Sequence, residues 1–172
     1  MVVQLDVNDP VEFRRVLARY ATGVVVVSAC ANGVDHAMTA NSLTSVSLRP
    51  PLVLLCVDRR ARFHEAIMQA GSWAVSILGG KSRDAASWFA TRGRPLRGQF
   101  AGYSTSRGAL SGALMLDDAL GRMECDTEAV HPGGDHTIVV GRVRILDLLD
   151  DDTGSSPPLI YYRHGFRSPA TE

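Results

Sequence analysis

The feature that most constrains this 172-residue chain is how little sequence separates its apolar runs. Val24-Val25-Val26-Val27-Ser28 is a β-branched run that suits a buried strand. Ala31-Asn32-Gly33 follows almost at once, and Asn-Gly is a strong hairpin signal. Leu52 to Val57 forms a second run, closed by Asp58, and Trp73 to Leu78 a third. Leu120 to Val130 alternates loosely, His131-Pro132-Gly133-Gly134 turns the chain, and Asp135 to Leu149 reads as a long strand. Leu159 to Arg163 is a last short strand. Parallel strands need crossovers of a dozen or more residues, and several of these links are far shorter. The pattern predicts a mainly β fold, an antiparallel β-barrel with peripheral α-helices.

Three short helices are expected around it. Asp9 can cap the first, Pro10 suits its first position and Glu12 completes a capping box. Val11, Val16, Leu17 and Tyr20 share one face, bordered by Phe13, and the helix ends near Ala21–Gly23. Arg60 to Ala70 turns Phe63, Ala66 and Ile67 inward, and Ser82 to Thr91 carries Trp88 and Phe89. Residues 92 to 112 are rich in Gly, Pro and Arg and read mostly as loop, as does the acidic stretch Asp150 to Pro158. No internal repeat or linker appears, so residues 10–167 are expected to form one domain, with 1–9 and 168–172 as tails.

Charge narrows the function classes. Lys+Arg and Asp+Glu number 18 each, and a chain without basic excess is not expected to have nucleic acid as its main partner. The first residues lack the basic and apolar regions of a signal peptide, and no apolar run approaches the ~18 residues of a membrane span. Cys30, Cys56 and Cys125 are odd in number and widely spaced, which argues against a disulfide framework or a zinc site and fits a reducing cytoplasm. No metal ligand set is assigned.

Several familiar motifs fail. No G-x-G-x-x-G is present. Gly80-Lys81-Ser82 lacks the first glycine of a phosphate loop, because Val75 occupies that place. His64-Glu65 has Met68 where a zinc-binding His would be required, and no G-x-S-x-G elbow occurs.

Three segments carry possible chemistry. Between Ala37 and Leu48 no charge appears, while Thr39, Asn41, Ser42, Thr44, Ser45 and Ser47 offer hydroxyl and amide groups. Such groups can meet the edge of a flat heteroaromatic ring, or they can simply be the solvent face of a strand. In Gly133-Gly134-Asp135-His136-Thr137, Asp135 can orient the imidazole of His136 toward a carboxamide or a developing negative charge, or His136 can stand in solvent on a plain turn. Tyr161-Tyr162-Arg163-His164-Gly165-Phe166-Arg167 can stack on a base or bind a phosphate, or be a surface strand. Arg59, Arg60, Arg62, Arg92, Arg94 and Arg97 are available for phosphates, although most suit a solvated face.

Taken in order, Thr22-Gly23-Val24, Met38-Thr39-Ala40-Asn41-Ser42, Ser45-Val46-Ser47-Leu48, Pro50-Pro51-Leu52-Val53, Phe89-Ala90, Glu124-Cys125, Gly134-Asp135-His136-Thr137 and Gly141-Arg142-Val143 resemble the short-chain flavin reductases. These are the reductase components of two-component flavin-dependent monooxygenases. The likeness runs from about Phe13 to Arg167. It implies a flavin-binding split barrel of antiparallel Greek-key type, usually a homodimer with its flavin sites near the subunit interface. By that resemblance Met38, Thr39, Ala40, Asn41 and Ser42 meet the flavin ring. Ser45, Val46 and Ser47 follow the ribityl chain and phosphate. Cys56, Val57, Asp58, Arg62, Phe89 and Ala90 complete the flavin site. His136 meets the nicotinamide nucleotide and is the catalytic candidate, with Arg163 and Gly165 nearby.

The implied function is an NAD(P)H:flavin oxidoreductase. It would reduce FMN or FAD with NADH or NADPH and supply reduced flavin to a partner monooxygenase. A flavin-binding carrier or redox-sensing protein without turnover is the alternative. Leu43, in place of a common aromatic, and His36-Ala37, in place of a glycine before Met38, depart from the family pattern.

Overall fold

The computed structural model describes residues 3–149 and 156–169. Three helices, α1 (Pro10–Leu17), α2 (Arg62–Ala70) and α3 (Arg83–Ala90), accompany twelve strands. Seven of these make one sheet: β2 (Val25–Ala31), β3 (Val34–Ala40), β4 (Thr44–Leu48), β5 (Pro51–Asp58), β6 (Ser72–Ile77), β9 (Gly121–Gly133) and β10 (His136–Leu148). Their order is β3-β2-β6-β9-β10-β5-β4, with every neighbouring pair antiparallel. β1 (Thr22–Gly23), β11 (Ile160–Tyr162) and β12 (Gly165–Arg167) form a small sheet, and β7 (Thr105–Arg107) with β8 (Leu114–Leu116) another. β5, β6, β9 and β10 stand in the spatial order β6-β9-β10-β5, a Greek-key arrangement in which the last strand returns beside the first.

The two edge strands explain why the large sheet curls. β3 and β4 lie at opposite edges yet are joined only by Asn41-Ser42-Leu43. Across a flat sheet the edges of seven strands would stand roughly 29 Å apart. Four Cα steps from Ala40 to Thr44 reach at most ~15 Å. The sheet therefore bends until its edges approach, and because no ladder joins β3 to β4 the barrel is split rather than closed.

Burial on both faces accounts for the valine run. Val25 and Val27 point into the curl, with Ala29, Leu55, Val57, Trp73, Val75, Cys125 and Val139, and α2 adds Phe63 and Ile67 to that core. Val24 and Val26 point the other way, into a second core with Leu78, Phe89, Phe100, Leu116 and Leu159. Strands covered on both sides read as continuous apolar runs. Burying each large side chain contributes about 1.5–3 kcal/mol.

Some expectations change. Asp9 caps α1 by accepting from the Val11 N–H at 2.8 Å, but Glu12 pairs with Arg15 at 3.2 Å instead of closing a capping box. No residue of α1 is buried; Val11, Phe13, Val16 and Leu17 are all more than half exposed. The expected turn at His131–Gly134 is Gly134-Asp135 alone, because β9 runs through His131, Pro132 and Gly133. Residues 92 to 112 contain β7, and the C-terminal strand is a hairpin, β11–β12, turning at Arg163-His164. The expected loop Asp150–Pro158 lies mostly outside the described residues. Among those described, no helix is long and apolar enough to cross a membrane.

Candidate functional site

The uncharged segment is not one strand. β3 ends at Ala40, Asn41-Ser42-Leu43 crosses between the sheet edges, and β4 begins at Thr44. Ser42 replaces a missing ladder bond: its hydroxyl accepts from the Cys56 N–H at 3.1 Å and donates to the Cys56 carbonyl at 3.2 Å. Thr39 donates its hydroxyl to the Ala86 carbonyl at 2.7 Å, which fastens β3 to α3.

An open cleft of about 410 Å³ lies beside this fastening. Its lining comes from His36–Thr39 on β3, from Asp58 and Arg60–Phe63 where β5 passes into α2, from Phe89 and Ala90 at the end of α3, and from Thr91–Arg94, Leu96 and Gln99 beyond it. Met38 and Leu96 supply apolar surface over the buried rings of Phe63 and Phe89, and Arg60, Arg62, Arg92 and Arg94 supply positive charge. Arg60 and Arg92 are both tied to Asp58, at 3.3 and 3.8 Å. The Arg60 backbone N–H, and then its guanidinium, hold the Asp58 carboxyl below the usual carboxylate range. Arg62 instead donates to the Arg94 carbonyl at 2.8 Å. Burial, and then the Arg62 charge, keep His36 below the ordinary imidazole range.

Of the expected flavin residues, Met38, Thr39, Asp58, Arg62, Phe89 and Ala90 line this cleft. Ala40 and Val57 are buried, with Val57 in the inner core, so only their backbones are available to a ligand. Asn41 is exposed on the crossing link, while Ser42 and Cys56 are half-buried partners of one another. Ser45, Val46 and Ser47 stand on the β4 edge and do not line the cleft.

His136 opens β10 opposite Asp58 in the ladder, so it adjoins the cleft rim. Its Nδ1 lies 2.7 Å from Asp135 Oδ1, and this contact pulls Asp135 below the usual range. Arg163 and Gly165 are not brought to the cleft: Gly165 opens β12, and Arg163 lies in the β11–β12 turn, where its N–H donates to the Ala18 carbonyl at 2.9 Å behind α1. Arg94 and Gln99 are cleft residues that the sequence left among loop arginines and glycines. Only the density of arginine after Phe89-Ala90 hinted at them. Among the described residues no cluster of three or more His, Cys, Asp or Glu is placed to hold a metal.

A sequence profile described as "Flavin reductase like domain" matches residues 17–170. The chain belongs to the flavin reductase-like family. It is 37% identical over 155 residues to the reductase component of 4-hydroxyphenylacetate 3-monooxygenase from Thermus thermophilus, covering 90% of this chain and 93% of that one. It is 39% identical over 156 residues to an NADH-dependent FMN reductase of Streptomyces nodosus subsp. asukaensis, covering 90% and 82%. Among solved structures, the NADH:FAD oxidoreductase of Streptomyces globisporus superposes with a TM-score of 0.91 at 34% identity over 99% of both chains. The same oxidoreductase is also solved with NAD and FAD fragments. Membership in the flavin reductase-like family gives the curled antiparallel sheet its expected fold.

Proposed function

We propose that this chain is an NAD(P)H-dependent flavin reductase that supplies reduced FMN or FAD to a separate monooxygenase. The observation that carries the reading is the cleft itself: partly exposed, apolar Met38 and Leu96 adjoin Arg62 and Arg94, which no carboxylate pairs among the described residues, in a chain of this family. Apolar surface beside unpaired guanidinium groups suits an aromatic ring bearing a phosphate. A flavin nucleotide therefore fits the donor set, held by Met38, Thr39, Asp58, Arg62, Phe89 and Ala90.

A bound flavin would supply the hydride-accepting chemistry, for which the protein need offer no nucleophile. The residues of this chain bind and orient. Met38, Phe63 and Phe89 keep water from the apolar wall, and the arginines balance phosphate charge. His136, steadied through Nδ1 by Asp135, offers its other ring nitrogen to the nicotinamide carboxamide. In this assignment Asn41, Ser45, Val46 and Ser47 extend the site along the exposed link and edge strand.

A homodimer belongs to the same proposal. Val11, Phe13, Val16, Leu17 and Tyr20 around α1, with Val46 and Leu48 on β4, leave apolar surface bare, and a second copy would cover it. Arg163 and Gly165, next to α1, would then join the site from the neighbouring subunit. The free thiols Cys30, Cys56 and Cys125 are in keeping with a reducing cytoplasm.

The deciding experiment follows NADH and NADPH oxidation with added FMN or FAD. Flavin-dependent turnover is expected. Flavin binding with no oxidation of either nicotinamide would replace the enzyme by a flavin carrier or redox sensor.

A further inference from the structure

The hairpin end that carries His136 is loosely built. Gly133 and Gly134 lead into it, the second at φ 68°. Pro132, which stands opposite Thr137 on β9, has no N–H to offer the ladder. Strand ends of this kind fray unless something ties them. Two ties reach this end from the segment where β5 passes into α2. The Arg59 N–H donates to the Asp135 carbonyl at 3.1 Å, and His64 Nε2 shares a hydrogen bond of 2.8 Å with the Thr137 hydroxyl. His136 stands between the two tied residues. The second tie is the only side-chain hydrogen bond between α2 and β10 among the described residues. Both of its ends have firm footing. Phe63 and Ile67 seat α2 in the inner core, and Thr137 is buried opposite Val57 of β5. Neither His64 nor Thr137 lines the cleft.

We propose that His64 is a positioning residue for the nicotinamide: by holding Thr137 to α2, it fixes where His136 stands against the cleft. The inference rests on the flavin-reductase reading and adds a residue that acts on the nicotinamide without touching it. The first turn of the same helix brings Arg62 and Phe63 to the cleft, so one rigid element sets the place of both His136 and the cleft wall. Such support matters because a misplacement of about 1 Å, caused far from the chemistry, can cost roughly 100-fold in rate. A neutral imidazole and a hydroxyl can each donate or accept, so either tautomer of His64 can make the tie.

The test is steady-state oxidation of NADH and NADPH with FMN or FAD, alongside flavin titrations, for the wild type, H64L, H64Q, T137V and T137S, and for H64L in an H136A background. H64L and T137V remove the hydrogen bond from opposite sides. Each should raise the nicotinamide KM roughly two- to tenfold, the size expected for one lost hydrogen bond, with flavin affinity within about twofold of wild type. H64Q and T137S keep a hydrogen-bonding group and should recover most of the loss. Because His64 acts through His136, H64L should add nothing to the KM of H136A. An unmoved KM in both H64L and T137V, whatever their melting temperatures, would leave His64 a merely structural role and overturn the inference. An H64L effect that persists undiminished in H136A would overturn it too, as would flavin affinity that falls as far as the nicotinamide KM rises. A wild type that oxidises neither nicotinamide with either flavin would instead overturn the flavin-reductase reading beneath it.

Discussion

Ser42 and Cys56 hold each other through a single hydroxyl, which accepts from the Cys56 N–H at 3.1 Å and donates to its carbonyl at 3.2 Å. A side chain thereby continues the β4–β5 ladder past its last backbone pairs and anchors the link between the sheet edges. S42A leaves both Cys56 groups without that partner. We expect a loss of ~1–2 kcal/mol, or roughly 2–8 °C in melting temperature for a domain of this size. Thermal melts of S42A and S42T would measure it, and an unchanged melting temperature in S42A would show that the link is held otherwise.

Gly141 lies on β10 against Trp73. A Cβ there would stand 2.9 Å from Trp73 Cη2 and 3.0 Å from Cys125 Cβ, and Trp73 and Cys125 are both fully buried. Neither neighbour has room to yield. G141A should cost ~1–3 kcal/mol or more by overpacking, visible as a lower urea midpoint with an unchanged slope.

Glu124 is buried and accepts four hydrogen bonds, from the N–H groups of Ala109, Leu110 and Ser111 and from the Ser111 hydroxyl, at 2.6 to 3.1 Å. It thus folds the loop between β7 and β8. E124Q turns an amide NH₂ toward donors and should destabilise by ~2–4 kcal/mol. Hydrogen exchange should quicken first at residues 108–112 if the loss is local.

Asp117 sets a pH dependence. The Ser106 hydroxyl, and then Ser104 and Arg122, hold its carboxyl below the usual range. A carboxylate depressed by folding adds stability above its unfolded pKa, about 4, and loses it as pH falls through the lower folded value. Wild type should therefore exceed D117N in stability at neutral pH, and the gap should close in acid below about pH 4. Urea midpoints measured across that range would show it, and a constant gap would mean that the Asp117 charge is not what matters.

On the proposed reading His136 serves the nicotinamide and not the flavin. H136A should raise KM for NADH or NADPH several-fold while leaving flavin affinity close to wild type. D135N, which removes the carboxylate from Nδ1, should act in the same direction with a smaller effect. Steady-state kinetics alongside flavin titrations would separate the two sites, and collapse of flavin binding with an unmoved nicotinamide KM would reverse the assignment.

Local chemistry made part of this fold legible. The valine run announced a strand covered on both faces, and Asn32-Gly33, both at positive φ, marked the β2–β3 hairpin. The inward set Phe63, Ala66 and Ile67 emerged from helical spacing alone. The break at Asn41–Leu43 did not, because no Gly, Pro or charge punctuates Ala37–Leu48 and the decisive bond joins Ser42 to a residue 14 positions away. Arg163 and His164 turn the last hairpin at positive φ without the usual Asn-Gly signature. For α1, periodicity identified an apolar face but could not say whether its cover came from the same chain. Arg94 looked like a solvated loop arginine because Gln99, which seats it, is anchored to Asp35, 64 residues earlier.

The three residues between β3 and β4 also decide where this chain can be cut. Asn41, Ser42 and Leu43 act as the clasp of a hoop, since they alone tie the first edge of the large sheet directly to the last. New termini opened at Asn32–Gly33, an exposed turn, would leave every ladder and the clasp intact. Termini opened at residues 41–43 would keep the same ladders and lose the tension that bends them. A circular permutant of the first kind should remain curled, and one of the second should relax toward an open sheet and lose the cleft with it.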